Sequence, residues 1–136
     1  MTCDMKKTTG AQFRLFKKAC LLWQKRLGLS QYRLYFERGI SEDSNDYYVY
    51  ANIDVNEMGK VATVRLCSAY PKDDDFDVER TAKHEMCHLM TSRLRWLGNN
   101  RYICSSDLIE EDESIVRRLE GLLYEREVIW ASLAEN

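Results

Sequence analysis

The chain has two histidines, His84 and His88, and they stand four residues apart in "KHEMCHLM" with Glu85 directly after the first. On an α-helix, residues four apart lie one above the other on the same face, so both imidazoles can reach one tetrahedral ion. Glu85 is rotated by about 100° from His84. That is too far for a natural ligand, and well placed to meet a water held in an open coordination position. Two ligands and a general base delivered by one rigid turn are the physical content of the H-E-x-x-H pattern. Two imidazoles are not a complete set, and no histidine remains to supply a third.

The pattern has to sit mid-helix to work, and the surrounding residues provide for that. "YPKDDDFDVERTAKHEMCHLMTSRLRWLGNN" has helical periodicity, with Val78, Ala82, Met86, Leu89 and Leu97 clustered away from the histidines. Asp75 or Asp77 suits the N-cap, and "GNN" from Gly98 suits the stop. The acidic run Asp73–Asp77 is read as helix-start charge and solvation rather than as a metal site.

A second helix follows, over about Asp107 to Trp130, with Ile115, Val116, Leu119, Leu122, Leu123 and Ile129 on one side. Its opening offers Asp107, Glu110, Glu111, Asp112, Glu113 and Glu120 as carboxylates. Most are ordinary helix-start acids, and one turned inward would close a His₂Glu set of the kind that keeps a water at catalytic zinc. The apolar centre of the helix points nearest Asp112, with Glu111 on one shoulder and Glu113 on the other. A ligand belongs on a shoulder. Cys87 and Cys104 are rival ligands, and a thiolate there would favour a closed structural site.

Upstream, "TTGAQFRLFKKACLLWQKRLGL" reads as an opening helix. Thr9 and Gln12 form a capping box, Phe13, Phe16, Cys20, Trp23 and Leu27 recur at helical spacing, and Gly28 ends it. Its lysine-rich face is read as solvated. "YRLYFE", "YYVYANIDV" and "KVATVRLC" are strand candidates, with "NEMGK" as a hairpin connection and Ser41–Asp46 as a loop. The expectation is a single α+β domain over residues 1–136. It has an N-terminal helix, a small three-stranded, largely antiparallel sheet, the histidine helix and a C-terminal helix.

Bulk composition narrows the rest. A 136-residue chain that is 45% hydrophobic can bury a core without disulfides. A net charge of −2 with signs interspersed indicates neither a nucleic-acid nor a membrane partner. Five cysteines, widely spaced and without a C-x-x-C pair, suit reduced thiols. The opening "MTCDMKKTTGAQF" has no apolar signal region, so the expected location is the cytoplasm.

"TAKHEMCHLM" resembles the active-site helix of the zincin metallopeptidases, and the element order resembles their minimal phage- and prophage-type forms. The "GLSQYRLYF" opening is also similar, more distantly, to SprT-like proteins. Those use a third histidine, which this chain lacks, so the resemblance moves toward the gluzincin type, in which a glutamate from the next helix completes the site. "ESIVRRL" looks like the run by which small phage-type zincins carry that ligand, which selects Glu113, with Glu111, Glu110 and Asp112 behind it. The resemblance implies a zinc endopeptidase holding Zn²⁺ through His84, His88 and Glu113. Glu85 would be the general base, and Tyr102, Tyr124, Arg101 or Arg117 would steady the oxyanion. It implies an extended peptide or protein substrate paired to an edge strand, assigned to Ala62–Cys67. The competing expectation is a non-catalytic or latent zincin-like binding module that uses that edge. A purely structural zinc domain is weaker, because it has no use for Glu85.

Overall fold

The computed structural model describes residues 4–40, 49–100 and 102–134. Eight elements follow in chain order: β1 (Met5–Lys7), α1 (Gly10–Arg26), β2 (Arg33–Arg38), β3 (Ala51–Asn56), β4 (Val61–Leu66), β5 (Ala69–Pro71), α2 (Val78–Gly98) and α3 (Ser105–Ala134). The α+β class is as expected. The expected loop Ser41–Asp46 and the first residues of "YYVYANIDV" lie outside the described residues, as does Cys3. Cys20 and Cys67 are buried free thiols, and Cys87 and Cys104 are exposed ones.

Local chemistry sets the helix ends. The Gln12 amide donates to Thr9 Oγ1 at 3.1 Å while the Gln12 side chain accepts from the Thr9 N–H at 2.8 Å, so the capping box is complete. At the other end, Gly28 takes a φ of +66°, the left-handed turn that lets the chain leave α1. Asp77, the second of the two expected caps, accepts from the Arg80 amide at 3.0 Å and starts α2.

The sheet is mixed, not largely antiparallel. Its order is β2-β4-β3, with β4 parallel to β2 and antiparallel to β3. The hairpin through Glu57–Lys60 is where "NEMGK" placed it, but the chain enters β3 on the far side of the sheet, so β4 slots between its two predecessors. The strand assigned as the substrate edge, Ala62–Cys67, is therefore the central strand, and the free edges are β2 and β3. A second, two-stranded pairing of β1 with β5 was not expected from the sequence. Both strands have three residues, too few to show an alternation.

One face of the sheet carries the core. Ala62, Val64 and Leu66 alternate along β4 at full burial and meet Phe16 and Cys20 of α1 with Ala82, Met86 and Leu89 of α2. The other face is polar. There Arg65 of β4 donates to Glu37 of β2 at 2.9 Å and to Asp54 of β3, tying three strands with one guanidinium. α3 lies beyond α2, with Ile115 and Leu122 packed on the core. Val116, Leu119 and Leu123, expected on that same inward side, are exposed. Ile129's side chain lies outside the described residues. Among the described residues no helix is long and apolar enough to cross a membrane.

Candidate metal and catalytic site

The core stripe of α2 fixes where its other face points. With Ala82, Met86 and Leu89 turned to the sheet and α1, His84 and His88 are left on the exposed side. Their Nε2 atoms are 3.1 Å apart and their rings are nearly perpendicular, at 83°. Two imidazole nitrogens on one tetrahedral zinc, each about 2.0–2.1 Å from it, stand roughly 3.3 Å apart. The pair therefore has the spacing of two vertices of such a site, and the same spacing also permits a direct hydrogen bond between neutral rings. Burial, then the charges of His84 and Arg95, lower the His88 pKa and favour the neutral imidazole that a metal requires.

Glu85 is the unusual residue of this helix. It is only 6% exposed. It lines a cleft of about 360 Å³ together with Val49, Tyr50, Ala51, Arg80, Thr81 and His84. Among the described residues no donor is hydrogen-bonded or ion-paired to its carboxylate. Burial raises its pKa, partly offset by His84. Among the described residues no fully buried side-chain oxygen lacks a partner, so the unpaired Glu85 carboxylate opens on the cleft, and a cleft carboxylate with a raised pKa is a candidate for chemistry.

The cleft's other wall is the start of β3. The Cys67 N–H donates to the Tyr50 carbonyl at 2.8 Å, which sets the phase of the β3–β4 ladder. Antiparallel pairs alternate, so Asn52 and Asp54 direct their backbone groups at β4 while Ala51, Ile53 and Val55 direct theirs outward. The outward row begins at the cleft. An aromatic stack steadies this wall: Tyr50 and Phe76 have ring centroids 4.8 Å apart, and Tyr70 lies 4.9 Å from Phe76. The Tyr50 hydroxyl donates to Asp74, and burial together with that bond pushes its pKa up to about 12.

The far end of β3 is anchored to α2 by a buried polar cluster. The Tyr32 hydroxyl donates to Glu57 at 2.9 Å, and Lys60 is ion-paired with the same carboxylate. Ser92 Oγ lies 3.1 Å from Glu57 and 2.8 Å from the Leu89 carbonyl, so its single proton serves one of the two. This cluster, one turn beyond His88, together with the cleft contacts near His84, lays β3 along α2.

The third ligand is where the structure and the sequence part. Among the described residues no third histidine, cysteine, aspartate or glutamate joins His84 and His88. Glu113 is exposed on α3 and is not brought to the pair; Glu110 and Asp112 are exposed as well. Glu111 is the acid that turns inward. It is 3% exposed and accepts from Arg93 at 2.9 Å. Arg93 is about 140° round α2 from His88, so that contact is made on a different side of the helix. Cys87 and Cys104 are exposed, and the Cys104 thiol donates to Asp107 at 3.0 Å. Of the oxyanion candidates, Tyr102 and Tyr124 are exposed. Arg117 is exposed too, and Arg101 lies outside the described residues. None of these three described residues lines the cleft, whereas Tyr50, Arg80 and Thr81 do. The sequence held a signal for Arg80 and Thr81, which precede His84 by one turn of the same helix, and none for Tyr50.

No protein-family model, curated protein or solved structure matches this chain.

Proposed function

We propose that this protein is a zinc-dependent metallopeptidase of the minimal zincin type, acting in the cytoplasm on extended peptide segments. The observation that carries the reading is Glu85, a largely buried side chain whose carboxylate, unpaired among the described residues, opens on a cleft beside two imidazoles at zinc spacing. His84 and His88 would hold the ion. A zinc ion bound there supplies a polarised water and a Lewis acid for a peptide carbonyl.

Glu85 takes the proton from the attacking water and returns it to the leaving amine, a role suited to a carboxylate whose burial raises its pKa. The outward backbone groups of Ala51, Ile53 and Val55 pair with the substrate main chain, in place of the row assigned to Ala62–Cys67. Tyr50, Arg80 and Thr81 line the space beside the scissile bond. The third donor comes from α3. The resemblance favours Glu113 for that place; Glu111, whose carboxylate Arg93 engages on another side of α2, would take it only after a shift of α3.

That engagement also favours the second reading, a latent zincin-like module whose metal set is incomplete until α3 shifts. The two readings separate on purified full-length protein. The catalytic reading expects about one zinc per chain by elemental analysis, lost from His84→Ala and from His88→Ala. Protein that holds no metal and takes up none on zinc titration refutes it. Protein that binds zinc only when a partner is added supports the latent module.

A further inference from the structure

We propose that two copies of this chain form a closed dimer in which the basic face of α1 of each copy packs on the acid-flanked apolar face of α3 of the other. On α3, Val116, Leu119 and Leu123 form an exposed row, with Leu123 59% exposed, and they line a groove of about 360 Å³ with Glu120 and Tyr124. Their spacing of three and four residues is that of a seam between helices. Glu113 and Glu120, both exposed, run along the outer flank of this row, and Ile115 and Leu122 on its inner flank pack on the chain's own core.

α1 presents the complement. Leu15 and Leu22 are exposed, the latter at 46%, and stand seven residues apart, the same separation as Val116 and Leu123. Arg14, Lys18 and Lys25 run along their outer flank, all exposed. Each apolar row thus has a core-bound inner side and a charged outer side, and the charges are opposite.

Charge also selects this pairing over α3 packed on its own copy. An antiparallel α3 pair sets the Glu113 and Glu120 flanks of the two copies against each other, and like charges juxtaposed are unfavourable. A parallel pair needs Ile115 and Leu122, which are already engaged. Reciprocal α1–α3 contacts about a two-fold axis close on themselves and double the area buried, toward the roughly 1,200–2,000 Å² of a stable interface.

The test is sedimentation equilibrium of the full chain over a range of micromolar concentrations, with circular dichroism confirming that each variant is folded. Glu120 is used rather than Glu113, so that the result is independent of the metal question. Wild type is expected to sediment as a concentration-dependent dimer. Lys18→Glu/Lys25→Glu and Glu120→Lys should each weaken association by about tenfold or more. Mixing the two should restore a dimer, because the mixed pair has one native contact and one in which Glu120 and the two lysines have exchanged charge. Leu123→Glu should be monomeric.

A wild type that stays monomeric overturns the proposal, and so does an open series of larger oligomers. A dimer lost in Leu123→Glu but untouched by the α1 reversal assigns the interface to α3 alone and overturns it. Binding of wild type to phosphatidylserine vesicles as a monomer, abolished only by the α1 reversal, overturns it in favour of a lipid surface.

Discussion

Removing the Tyr32 hydroxyl tests how β3 is held along the histidine helix. Tyr32 is 5% exposed and its hydroxyl donates to a carboxylate, Glu57, that is itself 7% exposed. A buried hydrogen bond to a charged acceptor is worth about 1.5–3 kcal/mol. In Tyr32→Phe, Glu57 keeps Lys60 and gains the Ser92 proton if Ser92 turns from the Leu89 carbonyl, which limits the cost to the lower half of that range. Lys60 contributes little of its own, because its side chain is 39% exposed and its ion pair is screened by water.

The effect should depend on pH. Burial works to raise the Glu57 pKa, but the hydrogen bonds from Lys60, Tyr32 and Ser92 outweigh it and hold the group below its ordinary value. A carboxylate with a depressed folded pKa contributes stability that is fully present above its unfolded pKa, near about 4.3, and is lost as pH falls through the folded value. Urea unfolding at neutral pH should therefore show Tyr32→Phe less stable by about 1.5–2 kcal/mol. The gap should narrow in acid below the ordinary carboxylate range. In a double-mutant cycle with Glu57→Gln, the two changes should be coupled by about 1 kcal/mol. A loss under about 0.5 kcal/mol, the level of an ordinary surface substitution, would refute the cluster as an anchor. A gap that widened in acid would refute the sign.

Other consequences can be checked separately. If Glu113 is the third ligand, Glu113→Ala releases zinc and Glu111→Ala does not; if α3 shifts to present Glu111, the order reverses, and Arg93→Ala then raises zinc affinity, all readable by competition with a chelating dye. Ile53→Pro breaks no ladder bond but trims a side chain packed on the core, so it should weaken peptide binding and destabilise the fold no more than Ile53→Ala does. Asn52→Pro breaks a ladder bond and should destabilise by several kcal/mol, of the order of about 3; a loss in Ile53→Pro that exceeds the Ile53→Ala loss by as much would contradict the phase assigned to β3. Thr9→Ala should cost about 1 kcal/mol of stability through the lost cap and leave metal binding unchanged.

What the sequence made legible depended on local rules. Thr9, Gln12 and Gly28 bound α1 by capping and left-handed turn chemistry, which involve neighbours only. His84 and His88 come together because a helix repeats every turn. Strand order has no such local code: "KVATVRLC" alternates well, but nothing in it says that β2 will pair on its other side, so reading it as an edge falls one strand later than the free edge β3. α3 was misread for a related reason. Its apolar residues span about a third of a turn, and only one side of that stripe, Ile115 and Leu122, packs on the core, leaving Val116, Leu119 and Leu123 exposed. Glu111 turning inward depends on Arg93, eighteen residues away on another helix, a pairing that periodicity within one helix cannot show.

The central claim is that Glu85 moves the proton and does not hold the metal. Wild type and Glu85→Gln, both reconstituted with zinc and checked for metal content, should be compared for cleavage of an unfolded protein substrate. The account predicts equal zinc in the two, with hydrolysis by the wild type and a rate at least about 100-fold lower in the variant, the usual contribution of a positioned base. Zinc lost from the variant, or hydrolysis that continues at the wild-type rate, would contradict it.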